Sequence, residues 1–290
     1  MILSGLGIHG GLSSNLTLSV SESMGPDQAP RILEPRFSFP GASRFWSVKE
    51  LGGLSKSSAR STILSGENFF IRTPEHLMAT LLFFSQASID ISCDAEELPF
   101  MDGSALDFRE ALSQLAPQFA RQPAWREYDC SLNWDYAWTY GHIRVRPSSK
   151  FKVTYIVDQV PLRQTVVAVD PDFVWNEILP ARSFAFHGEW KKAVKMGLMA
   201  GAGLESGLLL AETHDEHAAL LAAHSDWRGG IFPLLNQPDW RVDFEPAKHK
   251  VLDLLGDLAL HGLGLPKLDI EICNGGHAIH HLLLDKLALN

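Results

Sequence analysis

The sequence predicts an α+β protein of two similar domains, each a small sheet packed with helices, facing each other as a layered sandwich with the active site between them. Three observations predict it. A helix–strand–turn–helix pattern occurs once in each half of the 290 residues. Short runs with strand alternation stand beside it in both halves. A polar, proline-containing stretch, "RQPAWREYD", separates the halves. The expected boundaries are an N-terminal domain over 1–121, a linker over 122–129 and a C-terminal domain over 130–290.

The elements follow in order. "GLGIHGG" near the start spells G-x-G-x-x-G with Gly5, Gly7 and Gly10 around His9. A dinucleotide loop needs a buried strand before the glycines and a helix opening after them. Too few residues precede this run, and "SNLTLSVS" after it alternates Leu16, Leu18 and Val20 as a strand does. The run therefore reads as a glycine turn feeding a strand. "ENFFIR" reads as a strand. "TPEHLMATLLFFSQA" reads as a buried helix with Thr73 as N-cap and Pro74 at its first position. "SIDISCD" is a strand, and "MDGSALDFREALSQLA" turns at Asp102-Gly103 into a helix that Pro117 stops. In the second half, "CSLNWDYAW", "HIRVRP", "KVTYIVD" and "TVVAVD" are strand-like. "EPAKHKVLDLLGDLALHG" is a helix with Pro246 near its start, "KLDIEI" a strand, and "GGHAIHHLLLDKLAL" a terminal helix entered through Gly275-Gly276. Identity between the halves is too low to establish a repeat by itself.

Composition excludes several classes of function. With 46% hydrophobic and 20% charged residues the chain is of the folded kind. Its formal charge of -9 argues against general binding of nucleic acid. Three dispersed cysteines without a C-x-x-C fit a reducing, cytoplasmic compartment. No secretory signal is evident. "HLMATLLFF" is too short to cross a bilayer, so no stable membrane insertion is expected.

One helix carries His249, Asp253 and Asp257 at spacings of four, which puts them on one helical face. An imidazole and a carboxylate so placed can ligate one Zn²⁺; the alternative is a polar stripe on a solvated face. Glu75-His76 opens another helix that is apolar nearly all round. A buried Glu-His pair needs partners. His76 as third ligand completes a set of two histidines and one carboxylate with an open water position. Glu75 is then the general base beside that water.

With "GLGIHGG", "TPEHLMATL", "ELPFMDGSALDF", "ARSFAF", "GLMAGAGLE", "LLNQPDWRVDFEPAKHKVLDLLGDL" and "GGHAIHHLLL" in that order, the chain resembles the zinc-dependent UDP-3-O-acyl-N-acetylglucosamine deacetylases of lipid A biosynthesis over nearly its whole length. The resemblance implies Zn²⁺ on His76, His249 and Asp253, with Glu75 as base. It implies that His277 protonates the leaving amine, that Asp257 orients that imidazole, and that Ser183, where the family usually has threonine, polarises the carbonyl oxygen. Lys250 is implied to lie near the substrate diphosphate and His9 to edge the cleft. Phe184 and Gly201 belong to a strand–helix–strand insertion over 184–210 that lines a passage for the acyl chain. The implied partner is a UDP-sugar lipid precursor, bound by a monomer.

Three departures stand out. The family normally has a further strand ahead of the glycine motif. Pro74 replaces a small β-branched residue. The stretch 211–232, "AETHDEHAALLAAHSDWRGGIF", has no counterpart of that length and reads as a helical lid or a decoration. His214 and His217 within it suit the polar side of a short helix better than a second metal site. His280 and His281 read as helix surface or packing. Two alternatives remain open: a divergent deacetylase of another acylated sugar, and a non-catalytic nucleotide-sugar-binding relative.

Overall fold

The computed structural model describes residues 1–23, 33–39, 44–52, 56–57, 61–65, 69–120, 124–159, 162–203, 205–223, 231–233 and 240–289. The first half contains, in order, β1 (Ile2–Leu6), β2 (Ser13–Ser23), β3 (Arg36–Ser38), β4 (Trp46–Ser47), α1 (Val48–Gly52), β5 (Lys56–Ser57), β6 (Thr62–Ser65), β7 (Phe70–Arg72), α2 (Glu75–Leu81), β8 (Ala87–Cys93), α3 (Leu106–Leu115) and α4 (Pro117–Ala120). The second contains β9 (Arg126–Tyr128), β10 (Trp134–Trp138), β11 (Gly141–Pro147), β12 (Lys152–Gln159), β13 (Leu162–Ala168), α5 (Pro171–Phe173), β14 (Phe184–Phe186), α6 (His187–Lys195), β15 (Leu208–Ala211), α7 (His214–Ala223), β16 (Ile231–Pro233), α8 (Glu245–Ala259), β17 (Gly264–Pro266), β18 (Leu268–Cys273) and α9 (His277–Ala288).

The two main sheets share one topology. The first runs β1-β2-β8-β3-β4 and the second β10-β11-β18-β12-β13. In each, the central strand is the last to be added, and it pairs parallel with one neighbour and antiparallel with the other. Each central strand is preceded by one helix and followed by another: α2 and α3 around β8, α8 and α9 around β18. This matched topology, which sequence identity was too low to reveal, supports the division into two related domains that we propose.

β8 shows why these residues form a strand. Ile89, Ile91 and Cys93 are buried while Asp90 and Ser92 are not, the period of two expected of a sheet with one face on the core. α2 obeys a different rule. All seven of its residues are buried, as its all-round apolarity predicts. It lies against α8, of which every residue but Lys250 is buried. The two helices meet at Gly256, where an added Cβ would stand 2.0 Å from the Glu75 carbonyl oxygen. Only glycine permits that crossing. One continuous apolar cluster joins Leu77 and Met78 of α2, Leu252 and Leu255 of α8, and the inner faces of both sheets.

Three expectations are corrected. Thr73 does not cap α2: its φ is +55°, and its hydroxyl donates to the Arg72 carbonyl. Pro74 occupies the cap position instead, its carbonyl accepting the first helical hydrogen bond from Met78. Within the expected linker, Arg126–Tyr128 forms a strand paired parallel with β17, so that segment is tied into the second half; residues 121–123 lie outside the described residues. The stretch 211–232 is more than a lid. It supplies α7 and then β16, which pairs with β15 and extends the β14-β15 insertion to a three-stranded parallel sheet. The glycine run is the loop of the antiparallel β1-β2 hairpin, and no helix opens from it.

Candidate metal centre and active site

The crossing of α2 over α8 decides what meets in the middle. It faces Glu75 and His76, at the start of α2, toward His249 and Asp253 on successive turns of α8. His249 Nε2 lies 3.2 Å and His76 Nε2 3.6 Å from Asp253 Oδ1. One ligand atom from each of the three residues falls within 4.8 Å of the others. A tetrahedral ion with bonds of about 2.0–2.2 Å spaces its ligand atoms about 3.3–3.6 Å apart. All three side chains are buried.

The donor chemistry agrees with that geometry. His249 Nδ1 is 3.0 Å from the Ala181 carbonyl, which can only accept, so Nδ1 carries the proton and Nε2 presents a lone pair. Burial holds the His76 imidazole below its usual pKa and therefore neutral. Burial alone would raise Asp253, but His249, Lys250 and His277 hold it well below the usual carboxylate range. Two imidazoles and a carboxylate whose ligand atoms converge in this way could hold a divalent metal ion.

Glu75 and His277 face one another across the same space, Glu75 Oε1 being 3.7 Å from His277 Nε2. Burial pushes the Glu75 carboxyl up to about 8, against the pull of His277. For His277, burial opposes the charge. Asp257, Asp253 and Glu75 outweigh it and push the imidazole up to about 10. Asp257 is fully buried, and its Oδ2 accepts from His277 Nδ1 at 2.8 Å. The glycine pair Gly275-Gly276 swings the chain from β18 into α9, and so brings His277 to the cleft.

Glu75, His76, His249, Asp253 and His277 line one cavity of about 300 Å³. Ser183 lines it too, held by its amide on the Gly103 carbonyl at 2.7 Å. Lys250 and Phe184 form a wall, the ammonium 5.5 Å from the ring centroid. Lys250 also reaches Asp253 Oδ2 at 3.0 Å. His9 edges the cavity on a loop cradled by Glu97, whose carboxylate accepts from the His9 and Gly10 amides at 3.0 and 2.8 Å. Gly201 is not among the lining residues; its amide donates to the Ile8 carbonyl, and a Cβ there would meet the Gly7 oxygen at 2.1 Å. It thus holds the insertion against the glycine loop, beside the lining residues Met199 and Ala202.

Sequence reasoning missed Glu97, Thr62, Tyr155 and the part played by His280. Glu97 carries no local signal, because its partners are backbone amides 87 and 88 residues away. His280 did carry one, since it stands three residues after His277 on the same helical face. The second-metal alternative at His214 and His217 rests partly on a side chain outside those described.

With the geometry in place, comparison with known proteins settles the lineage. The family model described as UDP-3-O-acyl N-acetylglycosamine deacetylase matches residues 1–219 and 231–289. The chain belongs to that family. The match skips 220–230, inside the stretch that departs from the family's usual length. A UDP-3-O-acyl-N-acetylglucosamine deacetylase from Thermodesulfovibrio yellowstonii is 30% identical over 290 aligned positions, 98% of this chain and 88% of that one. Enzymes of the same name from Synechocystis and Chlamydia trachomatis are each 27% identical. They cover 99% and 95% of this chain and 96% and 87% of their own. Membership in this deacetylase family makes the chain an enzyme, a hydrolase of a metal-dependent kind.

Proposed function

We propose that this protein hydrolyses the N-acetyl group of UDP-3-O-(3-hydroxyacyl)-N-acetylglucosamine to the free amine and acetate, the committed step of lipid A biosynthesis. The observation that carries the proposal is the convergence of His76, His249 and Asp253 opposite a Glu75–His277 pair. A zinc ion on the three ligands would acidify a water molecule and polarise the acetyl carbonyl.

The chain's own groups supply the rest. Glu75 Oε1 takes the proton of the attacking water, from a carboxyl whose pKa near neutrality suits a proton acceptor. The Ser183 hydroxyl donates to the oxygen that gains charge as the carbon becomes tetrahedral. As the C–N bond breaks, His277 Nε2 gives its proton to the departing amine; a pKa of about 10 keeps that proton in place at neutral pH. Asp257 fixes the ring by accepting from Nδ1. Lys250 provides positive charge for the diphosphate in an otherwise acidic protein. Phe184 and the 184–210 insertion offer apolar surface for the acyl chain.

We place the enzyme in the cytoplasm of a Gram-negative-type bacterium, as a monomer. Among the described residues no helix is long and apolar enough to cross a membrane. The test is acetate release from the acylated UDP-sugar, with zinc content measured on the same sample. Equal turnover of UDP-N-acetylglucosamine lacking the 3-O-acyl chain would instead favour the divergent-deacetylase alternative, since the insertion would then have no acyl chain to recognise.

A further inference from the structure

Asp257 has more partners than orienting one imidazole requires. Besides His277, its Oδ2 accepts from His280 Nδ1 at 2.7 Å, and its Oδ1 accepts from the Thr62 hydroxyl at 2.5 Å. His280 is fully buried, and its other ring nitrogen, Nε2, lies 3.2 Å from the Tyr155 hydroxyl. Tyr155 comes from β12, beside the central strand of the second sheet, and is also fully buried. Gly275 makes room for it: a Cβ there would stand 3.0 Å from the Tyr155 hydroxyl and 2.4 Å from Ile272 Cγ2.

The hydrogen-bond roles follow from which groups can donate. Burial holds the His280 imidazole below its usual pKa, hence neutral, and raises Tyr155 well above 10, so the phenol keeps its proton. A carboxylate only accepts, so His280 Nδ1 carries the single ring proton and Nε2 accepts from Tyr155. The path runs in one direction, Tyr155 O–H to His280 Nε2, then His280 Nδ1–H to Asp257 Oδ2. Asp257 receives three hydrogen bonds from two elements, one from Thr62 on β6 and two from His277 and His280 on α9, and has no freedom to rotate. Its second Oδ2 partner also stops His277 from drawing that oxygen out of line. The short Asp257–His280 distance is one of direct donation and leaves no place for an ion between them.

From this we infer that His280, set by Tyr155, is a positioning residue for the hydrolytic step: it fixes Asp257, which in turn holds His277 Nε2 against Glu75. The inference rests on the role given to His277 above. His280 is neither one of the three candidate metal ligands nor a lining residue of the cavity, so its effect should fall on turnover and leave substrate binding and metal loading alone.

The sharpest test uses two amides that differ in reach. In His280→Asn the side-chain NH₂ lies where Nδ1 stands and can still donate to Asp257. In His280→Gln the amide extends to the place of Nε2 and leaves Asp257 without that donor. His280→Gln should lower kcat about 10–100-fold, with KM and zinc stoichiometry unchanged, whereas His280→Asn should stay within about threefold of the parent. Tyr155→Phe, which removes one oxygen, should lower kcat about 3–10-fold. In a His277→Ala background, adding His280→Gln should cost nothing more. Normal kcat in His280→Gln overturns the inference. So does His280→Asn as slow as His280→Gln, a loss expressed in KM or metal content, or a loss that persists without His277. If His277→Ala is itself fully active, the site reading fails; if His277→Ala is slow and His280→Gln is normal, only the positioning role fails.

Discussion

Side chains that touch the same small space can be separated by what their loss leaves behind. Glu75 is not one of the three candidate metal ligands, so Glu75→Ala should keep the metal and lose about 10²–10⁴ in kcat. His249→Ala removes a ligand and should lose metal and turnover together. Metal content and acetate release measured on both variants decide this, and normal activity in Glu75→Ala ends the mechanism. Asp102, away from the ligands, gives a pH signature. Burial would raise its pKa, but the Ser104 hydroxyl and amide at 2.6 and 2.9 Å, with Arg241 at 2.7 Å, hold it lower than usual. Its folded pKa lies below the unfolded value of about 3.9. The ionised form therefore stabilises the fold above about pH 4, and that contribution is lost as the pH falls through the folded value. Asp102→Asn should cost about 1–2 kcal/mol at pH 7, the side chain being partly exposed. The gap in urea midpoint between variant and parent should shrink as pH falls from 5 to 3; a gap that stays constant would mean the carboxylate's charge contributes nothing.

At the level of elements, the meeting of α2 and α8 matters most, and Gly256 controls it. An added Cβ would collide with backbone, which cannot swing aside as a flexible side chain can. Gly256→Ala should therefore push α2 away, moving Glu75 and His76 together. A displacement of about 1 Å can cost about 10²-fold in rate. The expected result is a fall in kcat and in metal affinity with helix content unchanged by circular dichroism; wild-type kinetics would show that α2 adapts without moving the site. This element also shows how far sequence carries. The i, i+4 spacing of His249 and Asp253, and the Glu75-His76 pair at a helix start, were readable because helical periodicity is local. That Gly256 seats the Glu75 carbonyl was not, for nothing near Gly256 in sequence records which helix crosses it. Thr73 was misread for a related reason. Its type suits a cap, but the left-handed backbone there turns its hydroxyl onto Arg72. His280 was set aside as surface or packing because its two polar partners, the Tyr155 hydroxyl and the Asp257 carboxylate, come from β12 and α8, which no helical wheel of α9 displays.

The three candidate metal ligands lie across the seam of the two matched halves that we propose, with His76 from the first and His249 and Asp253 from the second. A bound ion would thus act as a cross-link between halves as well as a reagent, and stability and activity should depend on it together. A ligand that binds the folded state at about 1,000 times its Kd stabilises it by about 4 kcal/mol, less whatever affinity the unfolded chain retains. For a chain of this size that corresponds to a Tm change of the order of 10 °C. Dialysis against a chelator should therefore abolish acetate release and lower Tm by several degrees, and added Zn²⁺ should restore both. His249→Ala protein should show a Tm that responds far less to chelator or Zn²⁺. Glu75→Ala should keep the full Tm response while remaining slow, because it removes the base and leaves the link between halves intact. If chelation strips the ion and activity while Tm stays fixed in the parent, the ion is held by one half alone. The convergence of α2 and α8 would then be maintained by the apolar core at Leu77, Met78, Leu252 and Leu255 without help from the metal.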